Sequence, residues 1–137
     1  MRRYIVEVHG ASMAPAYADG GRCTARRASH RSAPPRRGDV VLLRSPERPA
    51  RVELKRIIGL PHEAVSWRRG RMYVNGAPLS EPYARIHVAP PGDDETRTMR
   101  LGPAEYFVAG DHRLYSRDSR QYGPVARAAI VGTIISS

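Results

Sequence analysis

Val52-Glu53-Leu54-Lys55-Arg56-Ile57-Ile58-Gly59-Leu60-Pro61 is the stretch on which the fold turns. The run Arg51–Ile58 is rich in branched aliphatic residues and closes on Gly-Leu-Pro, which reads as a strand stopped by a turn. In a strand, alternate residues share a face. Lys55 therefore lies with Glu53 and Ile57, while Leu54, Arg56 and Ile58 point the other way.

Similar runs recur outward from it, at Tyr4–Val8, Arg22–Ala28, Asp39–Leu43, Ala64–Trp67, Arg71–Val74, Glu105–Ala109 and Ala128–Ile134. Gly/Pro/Asp clusters separate them, and no long stretch has helical periodicity. The spacing predicts a mostly β domain. Val74-Asn75-Gly76-Ala77 reads as a tight hairpin, because Asn-Gly tolerates the positive φ values that a two-residue turn needs. Ser29–Arg37 and Arg85–Gly102 read as loose, the second as a surface excursion containing Pro90-Pro91-Gly92-Asp93-Asp94. At 137 residues the chain is expected to form one domain, 1–137.

Composition narrows the function. The formal charge is +10. A single cysteine, Cys23, excludes an intramolecular disulfide and a cysteine-based zinc site. No metal-ligand cluster is apparent, so neither a metal nor a cofactor is expected. No apolar run approaches the ~20 residues of a membrane helix, and the start carries Glu7 and His9 where a signal peptide needs an apolar core. These features read as a cytoplasmic or peripheral-membrane protein, or an extracytoplasmic one if an anchor has been removed.

The basic residues are almost all arginine: only Lys55 is lysine. A desolvated lysine amine can lose its proton, whereas a guanidinium effectively cannot. In an aliphatic setting Lys55 can serve as a general base. The alternative is a surface lysine partnered by Glu53, whose carboxylate favours the charged amine.

Two other segments carry polar chemistry. In Val8-His9-Gly10-Ala11-Ser12-Met13-Ala14-Pro15, a strand-like run ends in a glycine that turns the chain before Ser12. In Gly110-Asp111-His112-Arg113-Leu114-Tyr115-Ser116-Arg117-Asp118-Ser119-Arg120-Gln121-Tyr122-Gly123-Pro124-Val125, hydroxyls, carboxylates and arginines crowd one loop. Such a loop can orient another polar side chain through hydrogen bonds and an Asp118–Arg120 ion pair. Taken singly, each segment also reads as an ordinary turn.

In order and spacing, the set Gly-Ala-Ser-Met-Ala-Pro, Arg-Gly-Asp-Val-Val, Leu-Lys-Arg-Ile-Ile-Gly-Leu-Pro, Asn-Gly-Ala-Pro-Leu-Ser-Glu-Pro-Tyr and Ser-Arg-Asp-Ser-Arg resembles the type I signal peptidases, from about Val8 to Gly132. The resemblance implies an antiparallel β catalytic fold shared with the SOS-repressor autoproteases. It also implies serine endopeptidase activity through a Ser–Lys dyad, acting on a precursor protein or peptide. By position, Ser12 would be the nucleophile and Lys55 the general base. Met13 would shield the lysine, Ser116 would hydrogen-bond its amine, and Asp118 and Arg120 would hold that loop in shape. Val8, Gly10, Met13, Glu53 and Leu54 would line the substrate cleft, with specificity for small residues as in Ala-x-Ala. Gly10 stands where some members carry an oxyanion-binding serine, which leaves the Ser12 N–H as donor. Lys55 would need its pKa lowered by ~2–3 units from about 10.4, at roughly 3–4 kcal/mol. His9, His30, His62, His87 and His112 would be bystanders.

The sequence departs from the family's pattern in three ways. Glu53 stands where an aromatic residue is frequent, and His112 where asparagine usually follows Gly-Asp. Most members carry membrane anchors before the Ser-Met motif, and here 11 residues precede Ser12. That start also suits the small anchorless relatives, such as the maturation proteases of nickel superoxide dismutase, each dedicated to one precursor. Two other readings compete. Arg26-Arg27, Arg36-Arg37 and Arg68-Arg69 would suit a nucleic-acid-binding module, but aromatic residues are few and no such motif is visible, so no nucleic acid is expected. A self-cleaving repressor would need a DNA-binding helix pair before Ser12. The charge is more simply a basic surface for anionic lipid headgroups or an acidic leader peptide.

Overall fold

The computed structural model describes residues 2–29, 31–86, 92 and 94–136. Their strands are β1 (Arg3–Glu7), β2 (Arg22–Arg27), β3 (Val40–Arg44), β4 (Val52–Gly59), β5 (Ala64–Arg68), β6 (Arg71–Val74), β7 (Ala77–Pro78), β8 (Arg97–Arg100), β9 (Glu105–Ala109), β10 (Val125–Ala126) and β11 (Ile130–Ser136). A short α-helix, α1, covers Ser119–Tyr122, and single 3-10 turns cover Arg113–Tyr115 and Arg127–Ala129. The fold is mostly antiparallel β, and each of the eight expected runs is a strand with ends shifted by no more than two residues.

Seven strands form one sheet in the order β1-β2-β11-β3-β4-β9-β10, and four form a second in the order β7-β6-β5-β8. The hairpin at Asn75-Gly76 is as expected: both residues have positive φ, and Val74 pairs with Ala77. A second hairpin of the same kind, at Arg69-Gly70, was not legible because Arg69 has no intrinsic preference for its φ of +50°.

Strand β4 is the spine of the molecule. Ile57 packs into a cluster with Val41, Leu43, Tyr106 and Val108 on one face. Ile58 packs on the other face with Val65, Met72, Leu101 and Phe107, between the two sheets. The same alternation splits Val108 from Phe107 and Ala109 on β9. Gly59, at the end of β4, lies against Val65 of the second sheet. A Cβ there would collide with Val65 and stand 2.9 Å from Leu101 and 3.1 Å from Phe107. Each fully buried aliphatic side chain stabilises the fold by about 1.5–3 kcal/mol.

Three strands were not expected. β7 and β10 have two residues each, too short to carry a pattern. β8 is Arg-Thr-Met-Arg, in which only Met99 packs inward, and it edges the second sheet beside β5. It lies within the expected excursion Arg85–Gly102, of which residues 87–91 and 93 are outside the described residues.

Candidate active site

Ser12 sits in the connection between β1 and β2. Gly10, two residues earlier, adopts φ of +89°, which a side chain would resist. Its N–H donates to Asp19 Oδ1 at 2.9 Å. At the base of the loop, Val8 N–H donates to the Gly21 carbonyl and Gly20 N–H to the Val8 carbonyl, both at 2.8 Å. From the opposite side, His112 N–H donates to the Ser12 carbonyl at 2.8 Å. Met13 is buried, and its Sδ accepts from Asp111 N–H at 3.4 Å. Ser12 is thus clamped between the β1–β2 connection and the turn that follows β9.

Lys55 projects from β4 with 3% of its surface exposed. Its register partner is Val41, and its Nζ donates to Ser116 Oγ at 3.3 Å. Ser116 Oγ donates to Asp118 Oδ2 at 2.9 Å and accepts from Gly110 N–H at 3.1 Å. That uses its one proton and both lone pairs. Asp118 caps α1: its carboxylate accepts from Arg120 N–H at 3.1 Å, and its own N–H donates to Gln121 Oε1 at 2.9 Å. Arg120 Nε donates to Asp118 Oδ1 at 2.8 Å, the expected ion pair.

The electrostatics follow from these contacts. Burial holds the Lys55 amine below the ordinary lysine range. Glu53 and Asp118 act against that, and Arg120 acts with it. Burial alone would raise the Asp118 carboxyl, but Arg120, Gly110 N–H and the Ser116 hydroxyl override it and keep Asp118 ionised. Arg120 therefore takes up much of the Asp118 charge that would otherwise keep Lys55 protonated.

Ser12 and Lys55 open on the same cleft, of about 830 Å³. Three strands separate β1 from β4 in the sheet, yet both line this cleft, because the sheet curls until its edge faces its middle. Val8, Gly10, Met13, Glu53 and Leu54 line it too. Ser116, Asp118 and Arg120 stand behind Lys55, outside the cleft wall.

Several supporting residues escaped sequence reasoning. Arg56 grips the buried Asp111 carboxylate with two bonds of 2.7 and 2.8 Å and stacks on Tyr83 at 4.1 Å. Arg113 pairs with Glu81 at 2.6 Å, and both are buried. All lie in the quoted motifs, but partners 32 and 55 positions apart leave no local signal. His9 lines the cleft, and His112 holds Ser12 through its backbone. His30 and His87 fall outside the described residues. Among those described, no group of three or more His, Cys, Asp or Glu is placed to hold a metal.

Residues 4–137 match the family model described as signal peptidase, peptidase S26. The chain belongs to that family. It is 38% identical over 140 residues to signal peptidase I V of Bacillus subtilis (strain 168), covering 93% of this chain and 81% of that one. It is 31% identical over 133 residues to the mitochondrial ATP-independent inner membrane protease subunit 1b of Arabidopsis thaliana, covering 96% and 68%. The crystal structure of a signal peptidase I from Enterococcus faecalis V583 superposes with a TM-score of 0.64 at 32% identity, over 75% of this chain and 98% of that one. As a peptidase S26 member with signal peptidase I relatives, the chain is a serine endopeptidase that acts on precursor protein.

Proposed function

We propose that this endopeptidase cuts precursor chains after a small residue by Ser12–Lys55 dyad chemistry. The observation that carries the reading is the sole lysine of the chain, buried and held by Ser116 at the bottom of the cleft that Ser12 also lines.

Neutral Lys55 Nζ accepts the Ser12 Oγ proton as Oγ bonds to the carbonyl carbon of the scissile peptide. The carbonyl oxygen becomes an oxyanion, and the Ser12 N–H is its donor; Gly10 N–H is committed to Asp19. The proton on Nζ passes to the amide nitrogen as the C–N bond breaks, and the amine product leaves. Lys55 then takes a proton from water, whose oxygen attacks the acyl carbon. The Oγ–C bond breaks, Oγ recovers the proton, and the acid product is released. Ser116 orients Nζ throughout. Cleavage of a synthetic precursor peptide, with products identified by mass spectrometry, tests the reading: Ser12→Ala should be folded and inactive.

We further propose that the enzyme meets an anionic membrane surface. No helix among the described residues is long and apolar enough to cross a membrane. Arg26, Arg27, Arg31, Arg36 and Arg127 line a groove of about 890 Å³ separate from the substrate cleft. Its carboxylate, Asp39, already accepts from Arg36 N–H at 2.8 Å. Such a cluster attracts headgroup charge.

A further inference from the structure

A cavity of about 270 Å³ lies between the second sheet and the loop that leads into α1. It shares no lining residue with the substrate cleft. Ser116 and Arg120 form part of its wall, and Ser116 is the partner of the Lys55 amine. Trp67 on β5 and Met72 on β6, with Leu114, give it an apolar side. Arg97 on β8, Arg113 and Arg120 give it a basic side, and no acidic residue among those described lines it.

The donors on this wall are only partly used. Arg113 is committed: its guanidinium bonds both Glu81 oxygens and the Gly110 carbonyl. Arg120 engages Asp118 and two backbone carbonyls through Nε and Nη2, while its Nη1 meets no acceptor among the described residues. Gln121 accepts through Oε1, and its Nε2 likewise donates to nothing described. Arg97 has only an exposed contact of 3.4 Å with Glu95, two residues away. Free guanidinium donors beside an aromatic ring recognise a carboxylate on a flat apolar body, because the guanidinium binds the carboxylate and the rings stack. A cavity of about 150 Å³ takes benzene, so this one has room for a single ring with its carboxylate.

We infer that this cavity is a second ligand site, taking a small aromatic carboxylate whose binding slows turnover from outside the substrate cleft. The carboxylate lies against Arg97 and Arg120, and the ring against Trp67. An acceptor on Arg120 Nη1 competes with Asp118 for the same guanidinium and pulls on the loop that holds Ser116 to Lys55. The cleft itself is untouched, so kcat falls and KM does not rise. The effect on turnover rests on the reading of Lys55 as the base; binding itself does not.

Trp67 is the chain's only tryptophan, so its fluorescence reports occupancy. Benzoate is the probe, with benzamide as the uncharged form of the same ring and acetate as the carboxylate without a ring. Benzoate should change the Trp67 signal saturably and bind about tenfold tighter than either control. Arg97→Gln lies outside the catalytic residues. It should keep the uninhibited rate and bind benzoate about fivefold more weakly, the upper range for an exposed ion pair. With a precursor peptide, benzoate should lower kcat and leave KM unchanged, and the same concentration should do less in Arg97→Gln. Ser12→Ala should bind benzoate like wild type and cleave nothing; cleavage by that variant would overturn the dyad reading alone. No saturable signal, equal binding of benzamide, an unchanged kcat at saturation or inhibition through a raised KM overturns the inference.

Discussion

Gly110 lies flat against Ser116. Its N–H donates to Ser116 Oγ at 3.1 Å, and the space that a Cβ would take is already filled by that serine side chain and, at 2.8 Å, by the Ser12 carbonyl. The glycine is the point where the Ser12 loop, the Ser116 partner of Lys55 and the end of β9 meet. Gly110→Ala should push Ser116 off Lys55 and shift Ser12 together. Overpacking of this kind costs about 1–3 kcal/mol, and misplacement by about 1 Å costs on the order of 100-fold in rate. Urea unfolding and kcat/KM for a cleaved peptide check the two numbers separately. An alanine variant with wild-type kcat/KM would show that the contact is idle.

Lys55→Arg keeps the charge and cannot serve as a base, so it should be inactive. Lys55→Met should be inactive too, but more stable than wild type at neutral pH. The sign follows from the lowered amine. Its folded pKa lies below its unfolded value, so the unfolded chain binds more protons between the two. The penalty is complete below the folded pKa and gone above the unfolded pKa of about 10.4. Methionine removes it, at about 1.4 kcal/mol for each unit of lowering. Denaturation at pH 7 and pH 10 measures this, and the gain must shrink at the higher pH.

The same direction governs activity. Only the neutral amine accepts the Ser12 proton, so kcat/KM should rise on the alkaline side as Lys55 deprotonates. Asp118 stays ionised across that range and adds no second limb. A profile that peaks in acid and falls above neutrality would remove Lys55 from the role.

Much of this was legible locally. Arg51–Ile58 announced β4 and the face of Lys55, and Asn75-Gly76 announced its hairpin. Ser12, Lys55 and Ser116 followed from motifs whose order matches a family. What was not legible depends on distance in sequence. Nothing near Asp111 indicates Arg56, and nothing near Glu81 indicates Arg113, because each pair is created by the fold. The cleft itself comes from sheet curvature, which brings Val8 and Leu54 to one space without pairing β1 with β4. Arg97–Arg100 looked like loop because an edge strand buries only one of its residues.

The arginine groove predicts binding to anionic lipid. Vesicles containing phosphatidylglycerol should bind the protein, and vesicles of phosphatidylcholine alone should not. Juxtamembrane basic residues contribute about 1 kcal/mol each. Replacing Arg26, Arg31 and Arg127 together by Gln should therefore weaken binding on the order of 100-fold and leave cleavage of a soluble peptide intact. Sedimentation with vesicles at two salt concentrations reads the effect. Equal binding to both vesicle types would assign the groove elsewhere.

Specificity should follow the cleft wall. Val8, Gly10, Met13 and Leu54 give it a largely apolar lining beside Ser12, and Met13 is too deeply packed to retreat. A pocket of that kind accepts a methyl group, and a larger side chain overlaps it at about 1–3 kcal/mol. Cleavage should therefore follow Ala, Gly or Ser, with a charged residue rejected at that position because the wall offers it no partner. Leu54→Ala should enlarge the pocket, so that Val or Leu before the scissile bond gains by about 10-fold or more relative to Ala. A peptide series varied at that one residue, run against wild type and Leu54→Ala, measures both expectations. If wild type cuts after bulky or charged residues as fast as after alanine, these four residues do not set the specificity, whatever Ser12 and Lys55 do.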